Sequence, residues 1–177
     1  MKEKNIIFVS GIHGVGKTTF CKEISQKYGV EYYSASELIS IASRKKFTNK
    51  LTNNINNNQK FLMNSIKKIL DKDKYYFLDG HFCLLDKNLC IKEIPIDTYQ
   101  NIGIKSIIVL TDNIHNIYFK LKKRDNIKYN LDLIDSFQKE EIKYANKVAL
   151  ILNVPIIYVN IEDYDIHNFN NIKELLC

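Results

Sequence analysis

A three-layer α/β fold built on a five-stranded parallel sheet is what this sequence predicts, and three observations predict it. Short β-branched and aromatic runs alternate along the 177 residues with stretches of helical apolar spacing. The first run leads directly into a glycine-rich loop, and that loop opens a helix. The third run ends in Asp79, where the carboxyl edge of a parallel sheet forms a ligand crevice.

Asn5–Ser10 (NIIFVS) reads as a buried parallel strand and Gly11–Gly16 as the loop. Lys17–Tyr28 follows as a helix stopped by Gly29. Val30–Tyr33 is a short second strand. Ser34 or Ser36 then caps a helix running to about Lys46, with Glu37 in its first turn. Thr48–Asn58 is polar and asparagine-rich, the composition of a solvated loop. Gln59–Leu70 carries a helical stripe of Phe61, Leu62, Ile66, Ile69 and Leu70. Tyr75–Leu78 is the third strand, and Phe82–Ile96 an irregular excursion or hairpin turning at Asp86-Lys87-Asn88. A short helix at Asp97–Ile102, a fourth strand at Lys105–Leu110 and a helix at Asn113–Arg124 come next. Asp125–Asn130 connects to a long helix, Leu131–Leu152. Pro155–Asn160 is the fifth strand and Asn168–Leu176 a final helix. Without repeat or linker, residues 1–177 read as a single domain.

Apolar residues make up 45% and charged residues 26%, an ordinary globular balance. No stretch approaches the roughly 18 apolar residues of a membrane helix. The apolar part of Met1–Ser10 is too short for a signal peptide, so a cytoplasmic protein with no membrane partner is expected. Cys21, Cys83, Cys90 and Cys177 form no CxxC pair and no zinc spacing, which predicts reduced, mostly buried thiols. The net charge of +6 would suit a nucleic-acid partner. It comes with abundant Asn, Ile, Lys and Tyr, so nothing specific indicates a nucleic-acid or protein partner. Only Arg44 and Arg124 are arginines among 26 basic residues. Where Lys dominates, an Arg marks a place that needs a planar, bidentate fork.

Gly11-Ile12-His13-Gly14-Val15-Gly16-Lys17-Thr18 matches GxxxxGK[ST] without a gap. Glycines let the backbone wrap closely around phosphates with its N–H groups inward. The helix after it adds a positive N-terminal end. Lys17 is expected to reach the β- and γ-phosphates of ATP, and Thr18 to ligate Mg²⁺. His13 is either a solvated spacer whose backbone does the work or a contact to phosphate or substrate. Asp79 orients Mg²⁺ or, on the plainer reading, caps a turn. His81, two residues on, is structural or touches substrate. Arg124 either serves the helix dipole or closes over the transferring phosphoryl group. Arg44 is solvated or anchors an acceptor's phosphate.

With those residues in place, the chain resembles the adenylate kinase-like nucleoside monophosphate kinases. It most resembles the small archaeal-type enzymes and the atypical adenylate kinase/ATPase proteins linked to ribosome assembly. The loop with Thr19 resembles their GxPGxGKTT, Ser34–Ile39 the start of their monophosphate-binding helix, and Asp79-Gly80-His81 their Asp-x-His. Val109–Asp125 resembles their fourth strand, helix and lid entry. The resemblance implies sheet order 2-3-1-4-5, acceptor-binding helices over about 34–70, and a short lid near 124–131. It also implies ATP as donor and an acceptor site lined by Ser34, Glu37, Arg44 and His81. The sequence departs from the pattern in carrying His13 where the family has proline. Ser40 stands where many members have a phosphate-binding Arg, with Arg44 one turn later.

The expected activity is therefore γ-phosphoryl transfer from ATP·Mg²⁺ to a monophosphate, with Lys17, Asp79 and Arg124 as the catalytic residues. Two rival readings are a kinase of another small molecule or nucleic-acid end, and a slow ATPase acting as a nucleotide-dependent binding protein.

Overall fold

A computed structural model describes residues 5–43, 55–71, 73–124, 128–166 and 172–176. Five parallel strands form the main sheet: β1 (Asn5–Ser10), β2 (Glu31–Ser34), β3 (Tyr75–Asp79), β6 (Ile104–Thr111) and β7 (Ile156–Asn160). A separate antiparallel hairpin is made of β4 (Cys83–Leu85) and β5 (Ile91–Glu93). The main sheet runs β2-β3-β1-β6-β7, which in chain order of its own five strands is the expected 2-3-1-4-5.

Successive residues Ile6, Ile7, Phe8 and Val9 of β1 are all buried, as are Phe77 and Leu78 of β3. Side chains alternate across a strand, so this pattern requires cover on both faces of the sheet. Helix α1 (Lys17–Tyr28) packs on β1, β2 and β3, and α6 (Leu131–Leu152) on β6 and the hairpin. The helices α2 (Ala35–Ser43) and α3 (Ile55–Ile69) pack on each other, and Ser65 Oγ donates to Leu38 O at 2.9 Å. The set is completed by α4 (Ile96–Ile102), α5 (Ile114–Arg124) and α7 (Ile172–Leu175).

Most expected elements are found within a residue or two, and the differences have physical reasons. The asparagine-rich stretch is not all loop, since α3 already begins at Ile55. Asparagine's weak helix preference yields there to the apolar stripe that follows. The excursion after Asp79 is a hairpin. Asp86 Oδ1 accepts from the Asn88 and Cys90 N–H groups at 2.8 and 2.9 Å, which closes its turn. Cys21 and Cys83 are buried thiols, but Cys90 is exposed beside that turn. The ends of the second and last helices, the lid expected near 124–131, Arg44 and Cys177 lie wholly or partly outside the described residues. No helix among the described residues is long and apolar enough to cross a membrane.

Candidate functional site

The carboxyl ends of β1, β2 and β3 meet at one edge of the sheet. Register pairs Val9 with Asp79 and Asp79 with Ser34, so the loop, the acid and the expected acceptor residue start from adjacent strand ends. The loop from Gly11 to Gly16 bends through positive φ at Gly11 (146°), Gly14 (85°) and Gly16 (114°), which side chains resist. At Gly14 a Cβ would lie 2.9 Å from Leu121 Cγ, because α5 packs directly onto the loop. At Gly16 a Cβ would meet nothing within 4 Å, so open space adjoins the start of α1. That first turn has neither a side-chain cap nor an acidic residue, an arrangement that suits an anion at the helix start.

Lys17 is buried and lies back over the loop. Its Nζ donates to Gly11 O at 2.7 Å and to Ile12 O at 3.2 Å. Thr18 Oγ1 donates to Asp79 Oδ2 at 3.3 Å, joining the two expected magnesium ligands across 61 residues of sequence. Two hard oxygens beside a phosphate cradle suit Mg²⁺, which takes few protein ligands and completes its shell with water and phosphate. Val15 is fully buried, so its part in the site is its backbone, while Thr19 is exposed on α1. Beneath them Cys21 has its thiol pushed well up, by burial first and then by Asp79, against Lys17. It is a protonated packing residue.

His13 is buried and not a solvated spacer. Its ring lies 4.1 Å from that of His81, centroid to centroid, and 6.2 Å from Phe137. The phosphate loop and the residue after Asp79 thus meet through their imidazoles. Tyr99 Oη donates to His81 O at 2.7 Å and fixes that backbone. Ser34 and Ser36 share a hydroxyl hydrogen bond of 2.9 Å. Glu37 is exposed in the first turn of α2. Tyr32 lies within electrostatic reach of both Glu37 and Asp79. Burial raises its hydroxyl first, and those carboxylates add to the rise. Sequence reasoning missed Tyr32, although it sits two residues before the strand end at Ser34. Arg124 closes α5 in an exposed position. It follows Ile117 and Leu121 at helical spacing, the two side chains that a Cβ at Gly14 would meet, so Arg124 shares the helix face turned to the loop.

Sequence reasoning also missed Glu141. This carboxylate, on α6, is 1% exposed. Its Oε1 accepts from Gly11 N at 3.1 Å and Phe82 N at 2.9 Å. Its Oε2 accepts from Phe82 N at 3.1 Å and Cys83 N at 2.6 Å. Burial pushes the carboxyl up to about 7, against the three N–H groups and Lys17, which pull it down. A signal for it existed. Ile134, Phe137, Glu141, Tyr144 and Val148 form the buried stripe of α6, and one acid stands in that apolar row.

A family profile described as AAA domain matches residues 10–138, well over half of the chain. No curated protein matches the sequence. Solved structures share the fold at low identity. A gluconokinase from Sinorhizobium meliloti 1021 superposes with TM-score 0.51 at 10% identity, over 99% of this chain and 90% of that one. An unliganded sugar kinase from Janibacter sp. HTCC2649 gives 0.52 at 14%, over 98% and 94%. Shikimate kinase from Bacteroides thetaiotaomicron gives 0.50 at 15%, over 97% and 93%. Each is a likeness of fold: a P-loop, kinase-like α/β domain.

Proposed function

This chain belongs to the AAA-domain family, and from that premise we propose that it is an ATP-dependent phosphotransferase whose acceptor is a nucleoside monophosphate. The observation that carries the reading is the 3.3 Å contact of Thr18 with Asp79 at the open end of the glycine loop. It supports the reading by bringing the two oxygens proposed to ligate magnesium, 61 residues apart in sequence, together beside the contiguous glycine loop.

In this reading Thr18 and Asp79 hold Mg²⁺, which when bound neutralises charge on the phosphates. The loop N–H groups and the first turn of α1 bind the β- and γ-phosphates. Lys17 exchanges the carbonyls of Gly11 and Ile12 for phosphate oxygens, a move its flexible stem allows. Arg124, from the helix face above Gly14, stabilises the equatorial oxygens of the transferring group. Ser34, Glu37, Tyr32 and His81 orient the acceptor, and Arg44 is proposed to take its phosphate. A monophosphate oxygen is already nucleophilic, so positioning and charge stabilisation suffice.

A second reading is a kinase of a small alcohol. It draws support from the fold shared with the gluconokinase, sugar kinase and shikimate kinase, and from the buried position of Asp79. Asp79 would then also accept the hydroxyl proton. ADP release measured with ATP·Mg²⁺ against nucleoside monophosphates and polyhydroxylated acids separates the two. Stimulation by one monophosphate, lost in Lys17→Ala, is the expected result. Stimulation by an alcohol alone replaces the first reading with the second. Slow release that no small acceptor changes overturns both.

A further inference from the structure

We propose that Glu141 is a positioning residue of the nucleotide site: one buried carboxylate ties the start of the phosphate loop to the segment after Asp79, fixing their spacing. The inference rests on the nucleotide-site reading above and extends it to a residue outside the matched span 10–138.

Three structural units converge on this side chain. Gly11 begins the phosphate loop, Phe82 and Cys83 follow the Asp79-Gly80-His81 segment, and Glu141 itself comes from α6. All three donors are backbone N–H groups, so the contacts fix the path of the chain and not merely a side-chain rotamer. Gly11 N and Cys83 N hydrogen-bond to opposite oxygens, and Phe82 N bridges both. A carboxylate is the only side chain that offers two equivalent acceptor oxygens here, whereas an amide would turn an NH₂ toward one of the donors. The pairing of β1 with β3 runs in register to Val9 and Asp79. Gly80 N donates to Val9 O at 3.0 Å, the one ladder bond past Asp79, and the chain then departs from the sheet. The Glu141 contacts begin two residues later. A buried ion costs several kcal/mol unless it is fully hydrogen-bonded, and an apolar residue on this stripe would pack without that cost. Retaining the acid is therefore explained by what it holds.

The test is ATP·Mg²⁺ affinity by calorimetry at pH 8 for wild type, Glu141→Gln and Glu141→Asp. Amide resonances of Gly11, Phe82 and Cys83 and a thermal melt are recorded on the same samples. Charge alone predicts that Glu141→Gln binds ATP more tightly, because a negative group near the phosphates is gone. Loss of positioning predicts the opposite: binding weaker by about tenfold, the loss expected for one charged hydrogen bond. The three amides should shift while the melt stays cooperative. Glu141→Asp keeps the charge but draws it back by one methylene, and it should weaken binding likewise. If either variant fails to melt cooperatively, the other carries the comparison. Affinity equal to or tighter than wild type in both variants, with wild type binding ATP, overturns the proposal alone. No ATP binding by any of the three proteins overturns the nucleotide-site reading and the proposal with it.

Discussion

Asp79 and Thr18 owe their contact to a strand end and a helix start that lie side by side. Asp79→Asn removes a charged ligand while keeping the shape. Turnover is expected to fall on the order of a hundredfold, with a higher Mg²⁺ requirement and an unchanged melt. A steady-state magnesium titration checks it. Gly80 next to it is constrained by packing. A Cβ there would lie 2.5 Å from Phe8 Cζ and 2.7 Å from Cε2. The Phe8 ring is held edge-on by Phe82 and Tyr99 at 5.0 and 5.6 Å and has no room to retreat. Gly80→Ala should therefore destabilise by about 1–3 kcal/mol in urea titration, the usual cost of overpacking a core.

Helix α6 shows how one element serves both stability and site. Asn130 caps its N-terminus, with Oδ1 accepting from Leu133 N at 2.7 Å. Asn130→Ala should cost about 1 kcal/mol and lower the melting temperature by roughly 2–4 °C. Asn153 closes the helix in the left-handed region at φ 53°, a conformation that glycine adopts without strain. Asn153→Gly should thus leave the melting temperature within about 1–2 °C of wild type. Along its length α6 also grips the sheet. Gln138 exchanges two hydrogen bonds with the Asp112 backbone, and Tyr144 Oη donates to Ile94 O at 2.7 Å. These bonds dock the helix from the end of β6 to the hairpin, and Glu141 lies between them.

At the scale of the whole molecule, Glu141 links pH to stability. Folding raises its carboxyl from an ordinary 4.5 to about 7, by burial foremost. The groups facing it are Lys17 from α1, Cys83 from β4 and Tyr99 from α4. The folded chain holds this proton more tightly than the unfolded chain. Its contribution to stability is therefore complete below pH 4.5 and lost as pH rises through 7. The shift corresponds to about 3 kcal/mol at most. Urea unfolding between pH 5 and 8 should show wild type losing stability relative to Glu141→Gln by an amount of that order. A difference independent of pH would mean that Glu141 remains ionised throughout.

The local parts of this protein were legible in the sequence. Gly11–Thr18 is contiguous, and its chemistry depends on backbone freedom and spacing that the letters carry directly. Strands buried on both faces and the stripe of α3 announced themselves by period, because burying an apolar face demands it. The helical onset at Ile55 was hidden, since asparagine-rich composition resembles a loop until packing overrides it. The burial of His13 against His81 was equally out of reach, because ring contact depends on how two turns meet. The partners of Glu141 depended on tertiary structure. Its place in the apolar row of α6 marks it in the sequence, but nothing there says what it holds. Only folding brings it to Gly11, 130 residues away, where three backbone N–H groups make a buried carboxylate tenable. Sequence alone determined which residues could bind phosphate, because that chemistry is local. Tertiary structure decided what holds them in place, because long-range contacts exist only once the chain has folded.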